Sequence, residues 1–155
     1  MLPPIEHINL HSSQPLAYEV ARLIRTEIYE DEADDLKEEI AFYLNGIDTS
    51  TTTHYVINSQ ASGLLAVAAV LHKVEQPRNP ITIIRDLAVR PDQQRQGHGT
   101  RLIRHTASKA LEHNDAAIHL IPLDTNEEYY TRLGFVAGNG VDMRADPRQL
   151  ISRSC

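Results

Sequence analysis

The chain has 155 residues, 41% of them apolar and 23% charged, with a formal charge of −6; this suits one soluble domain, residues 1–155, with a core large enough to stand alone. No basic flank precedes an apolar run at the N-terminus, and the longest apolar stretch, Leu64 to Leu71, is far too short to cross a bilayer, so a membrane role is disfavoured and a cytoplasmic one expected. The single cysteine, Cys155, rules out an intrachain disulfide and reads as incidental.

The periodicities alternate along the chain. Leu16, Val20, Leu23, Ile24 and Ile28 form one apolar helix face after a Ser13 cap, and Leu36, Ile40, Tyr43 and Leu44 form a second that stops at Asn45-Gly46. His54 to Ser59 and Leu64 to Val74 read as antiparallel strands around Gln60-Ala61-Ser62-Gly63, and Ile81 to Val89 as a third strand after the Pro77 to Pro80 turn. Thr100 to Leu111 predicts a helix burying Leu102, Ile103, Thr106, Ala107, Ala110 and Leu111. Ala117 to Leu123 predicts a buried strand that lies parallel to Ile81–Val89 through a right-handed crossover. Thr125-x-x-Glu128 reads as a capping box opening a short helix that Gly134 ends, and Phe135 to Met143 as a last strand region broken by Gly138-Asn139-Gly140.

Charge is unevenly placed. Glu27, Glu30, Asp31, Glu32, Asp34, Asp35, Glu38 and Glu39 face only Lys37 within Glu27 to Glu39. From Arg78 to Lys109 the balance reverses, with Arg78, Arg85, Arg90, Arg95, Arg101, Arg104 and Lys109 against Asp86 and Asp92. That basic side suits a polyanionic ligand. Nucleic acid is disfavoured, because the stretch lacks interleaved aromatics and the whole chain is acidic.

The stretch Ile81 to Thr100, ITIIRDLAVRPDQQRQGHGT, runs from a β-branched strand through a Pro-Asp turn into Gln94-x-x-Gly97-x-Gly99 and a helix. Two glycines let the backbone approach an anion, and the first amides of the helix have no intrahelical acceptor. A Walker phosphate loop is excluded, since His98-Gly99-Thr100 lacks its Gly-Lys-Ser/Thr ending. A dinucleotide fingerprint would need G-x-G-x-x-G early in the chain. A tight strand-to-helix turn with no ligand is the plainer reading. It leaves the flanking Gln, the two glycines and the helix start together without a purpose.

Gln94-x-x-Gly97-x-Gly99 resembles the acetyl-CoA signature of the GCN5-related N-acetyltransferases (GNAT). Tyr129-Tyr130-Thr131-Arg132-Leu133-Gly134-Phe135 resembles the F/Y-Y-x-x-x-G-F segment of the same family. The resemblance covers roughly residues 55 to 143. It implies an α/β (α+β) GNAT-like fold: a mixed, mostly antiparallel central sheet flanked by about four helices, with a V-shaped splay between two central parallel strands. It implies acetyl-CoA as co-substrate without a metal, and direct acetyl transfer to a primary amine. A non-catalytic acyl-CoA-binding or regulatory module on the same fold is the alternative, and retention of Tyr130 favours the enzyme.

Carried onto this chain, the resemblance lays the pantetheine arm along Leu87, Ala88 and Val89. It sets the pyrophosphate on the backbone amides of Arg95, Gln96, Gly97, His98, Gly99 and Thr100, beside Gln94. Asn126 either contacts the pantetheine arm or sits in the first helical turn. Tyr130 is the candidate proton donor, because a phenol with a reference pKa near 10 is protonated at neutral pH and faces a thiolate whose acid has a pKa of about 8.5. The plainer alternative, that the tyrosines only pack the short helix onto the sheet, suits Tyr129 better than Tyr130, and Leu133 and Phe135 read as core. Asp86 leads as the general base, its plain alternative being an ion pair with Arg85 or another arginine; His119 and His72 are reserves. The acidic Glu27 to Glu39 run suggests a cationic acceptor such as a polyamine, an aminosugar or a lysine side chain, although a solvated helix face explains it better and a peptide N-terminus stays open. The sequence is compatible with a homodimer and does not decide it.

Overall fold

The computed structural model describes residues 2–12, 15–30, 33–74, 79–123, 125–138 and 140–152. The elements are β1 (Ile5–Ile8), α1 (Leu16–Glu27), α2 (Ala33–Gly46), β2 (Thr52–Ser59), β3 (Gly63–Val74), β4 (Pro80–Val89), α3 (His98–Glu112), β5 (Ala117–Leu120), α4 (Glu127–Leu133), β6 (Val136–Ala137), β7 (Met143–Ala145) and α5 (Pro147–Ser152), with a 3-10 turn at Pro91–Gln93. Hydrogen bonding orders seven strands as β1-β2-β3-β4-β5-β7-β6. β1 runs antiparallel to β2, and β7 antiparallel to both β5 and β6. The central β4 and β5 are parallel, from Ile81↔Ala117 to Ile84↔Leu120. β4 continues to Val89, past the end of that register. This is the mixed, mostly antiparallel sheet that the sequence predicts, with α5 added to the four expected helices.

The chain divides into two compact units, one formed by residues up to Ala69 with Asp86–Leu102, the other by Val70–Arg85 with Ile103 onward. In the first, α1 buries Ala17, Val20, Ala21, Leu23 and Ile24, a stripe set by the helical period. These join Ile40 and Tyr43 of α2, Val56 of β2, Leu64 and Val67 of β3 and Ala88 of β4 in one apolar cluster. The buried His54 ring is satisfied there, since the Tyr43 hydroxyl lies 2.9 Å from His54 Nε2. The cap residue of α1 is Pro15, with no side-chain hydrogen bond. Ser13, expected in that role, lies outside the described residues, as do Asp31, Glu32, Pro77, Arg78, Asn139 and Cys155.

In the second unit the core draws on Ile81 and Ile84 of β4, Ile103, Ala107 and Ala110 of α3, Ile118 and Leu120 of β5, and Phe135, Met143 and Leu150. Several expectations change here. β5 ends at Leu120 instead of Leu123, leaving Ile121 71% and Leu123 49% exposed, because its partner strand β7 covers only Ile118 to Leu120. Leu111 and Leu133 are half-buried, not core. The Thr125-x-x-Glu128 capping box does not form. Asn126 is the cap residue and makes no side-chain cap bond, so Glu128 falls one position early and pairs with Arg132 at 2.5 Å. Gly134 does end α4, at φ 120°, where a side chain would be strained. The last strand region splits into β6 and β7, closed by Gly138 N–H donating to Asp142 O at 2.9 Å. β1 and α5 were not expected: Ile5-Glu6-His7-Ile8 and Pro147–Ser152 are too short to show a period.

Candidate functional site

The turn between β4 and α3 is where the sequence reading concentrates. After the 3-10 turn, Arg95 takes φ 64° and Gly97 φ 87°, two left-handed residues that swing the chain into α3. Arg101 N–H donates to Gly97 O at 3.0 Å as the first helical bond, so the amides of His98, Gly99 and Thr100 lie ahead of the helical ladder. Gly97 is exposed, and a Cβ built on it meets nothing within 4 Å. The loop therefore opens on space that an anion can occupy at the positive end of a helix dipole. Gln94 helps hold it there, its Nε2 donating to Val89 O at 3.2 Å. Arg90 is committed to the scaffold, bound to Asp92 at 2.6 Å and to Ser62 O at 2.5 Å. Arg101 reaches Pro3 O at 2.7 Å. Of the basic stretch, Arg95 is exposed at the loop itself.

His98 was expected only to lend its amide, and its side chain does more. The ring is buried, with Nε2 3.4 Å from Gln93 Oε1, and burial, then the nearby Arg101, holds its pKa below the usual value. A folded pKa below the unfolded one means that, as pH falls through about 6.5, the unfolded chain takes up the proton first and the fold is destabilised; above that pH the penalty vanishes. Urea unfolding midpoints at pH 7.5 and 5.5 should thus fall less on acidification in His98→Gln than in the parent. Equal falls would mean that His98 titrates alike in both states.

Asp86 sits on the buried row of β4 with Thr82, Ile84 and Ala88, while Leu87 and Val89 occupy the other face, as strand alternation requires. It is 3% exposed, and the Tyr29 hydroxyl approaches its Oδ1 at 3.5 Å. Arg85, named with other arginines as the plain alternative partner, is exposed and alternates to the opposite face of the strand. Tyr29 follows α1 and stacks under Arg25, 4.2 Å from ring centroid to guanidinium carbon, and Arg25 pairs with Glu39 of α2 at 2.7 Å. Sequence reasoning missed Tyr29; an aromatic just past a helix end carried no signal of its reach to β4.

A cavity of about 370 Å³ lies between α1 and the β2–β3 turn, lined by Glu19, Arg22, Thr26, Glu27, Ser62 and Arg90 among others. Glu19, Arg22, Thr26 and Glu27 share one helix face by their spacing. Glu27 is partly buried there, which raises its pKa above the ordinary carboxylate value. The acidic run is thus two things: Glu27 lines a cavity, while Asp34, Asp35 and Glu38 are exposed on α2.

Asn126 and Tyr130 belong to the second unit. Asn126 is the half-buried cap of α4, accepting Tyr130 N–H at 3.2 Å through its backbone oxygen. Tyr130 is buried, edge-on to Tyr129 at 5.1 Å and to Phe135 at 5.7 Å. Burial, with a smaller push from Tyr129, drives the Tyr130 phenol far above its usual pKa. Of the reserve histidines, His119 lies 4.0 Å from Asp142 and His72 Nδ1 3.0 Å from Asp115.

A family model described as an acetyltransferase (GNAT) domain matches residues 50–137. No curated protein matches the chain in sequence. Among solved structures, the chain is similar to an integron cassette protein of V. cholerae, with 20% identity and a TM-score of 0.72 over 90% of this chain and 88% of that one. It is similar to Tetrahymena GCN5, with 13% identity and a TM-score of 0.69 over 92% and 95% of the two chains. A predicted acetyltransferase of Clostridium acetobutylicum with acetyl-CoA aligns at 17% identity and a TM-score of 0.67, over 88% of this chain and 92% of that one. No helix among the described residues is long and apolar enough to cross a membrane.

Proposed function

Because the chain belongs to the GNAT acetyltransferase family, we propose that it moves the acetyl group of acetyl-CoA directly to a primary amine, with the pyrophosphate held on the β4–α3 loop. The observation that carries this reading is that loop: left-handed Arg95 and Gly97, open space over Gly97, and the first amides of α3 ahead of its ladder. An acetyltransferase of the same fold is known with acetyl-CoA. Leu87, Ala88 and Val89, which extend β4 past its register with β5, serve the pantetheine arm, and Asn126 is assigned to the scaffold of α4.

The acceptor is a small alkylammonium. Glu19 and Glu27 stand two helical turns apart, about 12 Å along α1, and both line the cavity beside the β2–β3 turn. Such carboxylates attract a cation, and one of them is already partly removed from water. Transfer requires the neutral amine, whose nitrogen attacks the thioester carbonyl carbon as the carbon–sulfur bond breaks. Asp86 takes the ammonium proton, and Tyr130 serves the departing thiolate. The test is acetyl-CoA-dependent thiol release across polyamines, aminosugars, lysine and peptide N-termini. Turnover with small polycations is expected, and release with no amine in the panel would leave only the acyl-CoA-binding reading.

Asp86→Asn keeps the shape of the side chain and removes its basicity. Turnover should fall most near pH 7 and recover partly toward pH 10, where more of an amine of pKa near 10.4 is already neutral. An equal loss at every pH, with a lowered melting temperature, would make Asp86 a structural partner of Tyr29 and pass deprotonation to ordered water.

A further inference from the structure

On the second unit, His72 of β3, otherwise only a reserve base, and His113, just past the end of α3, lie with ring centroids 4.5 Å apart at 48°. Their partners fix both tautomers. Asp115 is buried and its Oδ2 accepts from the Thr82 hydroxyl and, at 3.0 Å, from His72 Nδ1, so the proton of a neutral His72 sits on Nδ1. His113 Nδ1 is 2.7 Å from Lys109 O, and a carbonyl can only accept, so its proton sits on Nδ1 too. Each ring is left with the lone pair of Nε2. A ring nitrogen that donates to a carboxylate or backbone carbonyl while its opposite nitrogen keeps its lone pair is the outer arrangement of metal-ligating histidines.

We propose that His72 and His113 form a two-imidazole site for a borderline divalent transition-metal ion of the zinc, nickel or copper type. The spacing is close to what the chemistry needs: two imidazoles bound at about 2.0–2.1 Å put their ring centres roughly 4.5 Å apart at a right angle and roughly 5.2 Å apart at the tetrahedral angle of zinc. His113 is exposed and His72 one-third exposed at its side chain, so an ion reaches them from solvent. Among the described residues no group of three or more His, Cys, Asp or Glu is placed to hold a metal, so water completes the shell. The site ties β3 to the turn after α3, and Asp115 with Thr82 keeps the His72 proton on Nδ1, which leaves Nε2 to ligate.

The experiment is calorimetric titration of zinc chloride into the tag-free, metal-stripped full chain, with magnesium chloride as the hard-cation control. One zinc per chain is expected, with no magnesium heat. Affinity should drop about tenfold or more in His113→Ala, whose exposed side chain can be removed without disturbing the core. Asp115→Asn, whose amide no longer enforces the His72 tautomer, should lose about 10–100-fold. In parallel, zinc should raise the melting temperature of the parent and not that of His113→Ala. Absence of zinc binding, or equal affinity in parent and His113→Ala, overturns the site. None of these readouts depends on acetyl transfer.

Discussion

Replacing Gly97 with valine should remove measurable acetyl-CoA binding while the protein stays folded. At φ 87° a β-branched residue is strained by roughly 1–2 kcal/mol or more, and the chain relieves that by rotating away from the left-handed region. Rotation there displaces the carbonyl that accepts Arg101 N–H, and with it the amides of His98, Gly99 and Thr100 that lead into α3. What does not rotate away fills the open space over Gly97 with two methyl groups, where the pyrophosphate would lie. The fold tolerates the change because Gly97 is exposed and touches no core residue. Calorimetry with acetyl-CoA and a thermal melt separate the two effects: lost binding with a melting temperature within a few degrees is expected. Gly99→Val, in the first turn of α3, should act in the same direction. Unchanged affinity in both variants would remove the phosphate-loop assignment.

The geometry of that turn was legible because its signals are local. Two glycines, a helix start and a preceding strand are all written within Ile81 to Thr100; the structure begins β4 at Pro80 and α3 at His98 instead of Thr100, and it adds Arg95 as a left-handed residue beside Gly97. The long amphipathic elements were equally readable, since Val20, Leu23 and Ile24, or Leu102, Ile103 and Ala107, repeat at the helical period and are buried. What the sequence hid is contact across distance. Nothing near Tyr29 announces Asp86 57 positions away, nor does His72 announce Asp115. The capping box failed for a smaller reason: Thr125 and Glu128 have the right spacing, but α4 begins one residue later than it requires. Short elements such as β1 and β6 draw their definition from the neighbouring strand, β2 or β7, and not from their own residues.

Tyr130→Phe should lower turnover while leaving acetyl-CoA affinity nearly unchanged, and the burial of the phenol sets the size of the effect. General acid help is worth ~10²–10⁴-fold when the donor's pKa lies near that of the group it protonates. Burial pushes Tyr130 the other way, far above the thiol reference of about 8.5, so complete proton transfer to the thiolate runs uphill. In the proposed role the hydroxyl would work chiefly by donating a hydrogen bond to the charge growing on sulfur, and the lower end of the range, about 10²-fold, is expected. The same shift keeps the phenol protonated throughout the working range. The fractional loss in Tyr130→Phe should therefore be constant from pH 7 to 10 and add no alkaline limb. Packing is preserved, because the ring keeps its edge contacts with Tyr129 and Phe135. Tyr129→Phe, on the more exposed neighbour, serves as control and should retain near-parental turnover. Measured with chemistry shown to be rate-limiting, a Tyr130→Phe enzyme running at the parental rate would transfer the role to water. A loss that grows with pH would instead mean that Tyr130 ionises in the working range, against the direction its burial imposes.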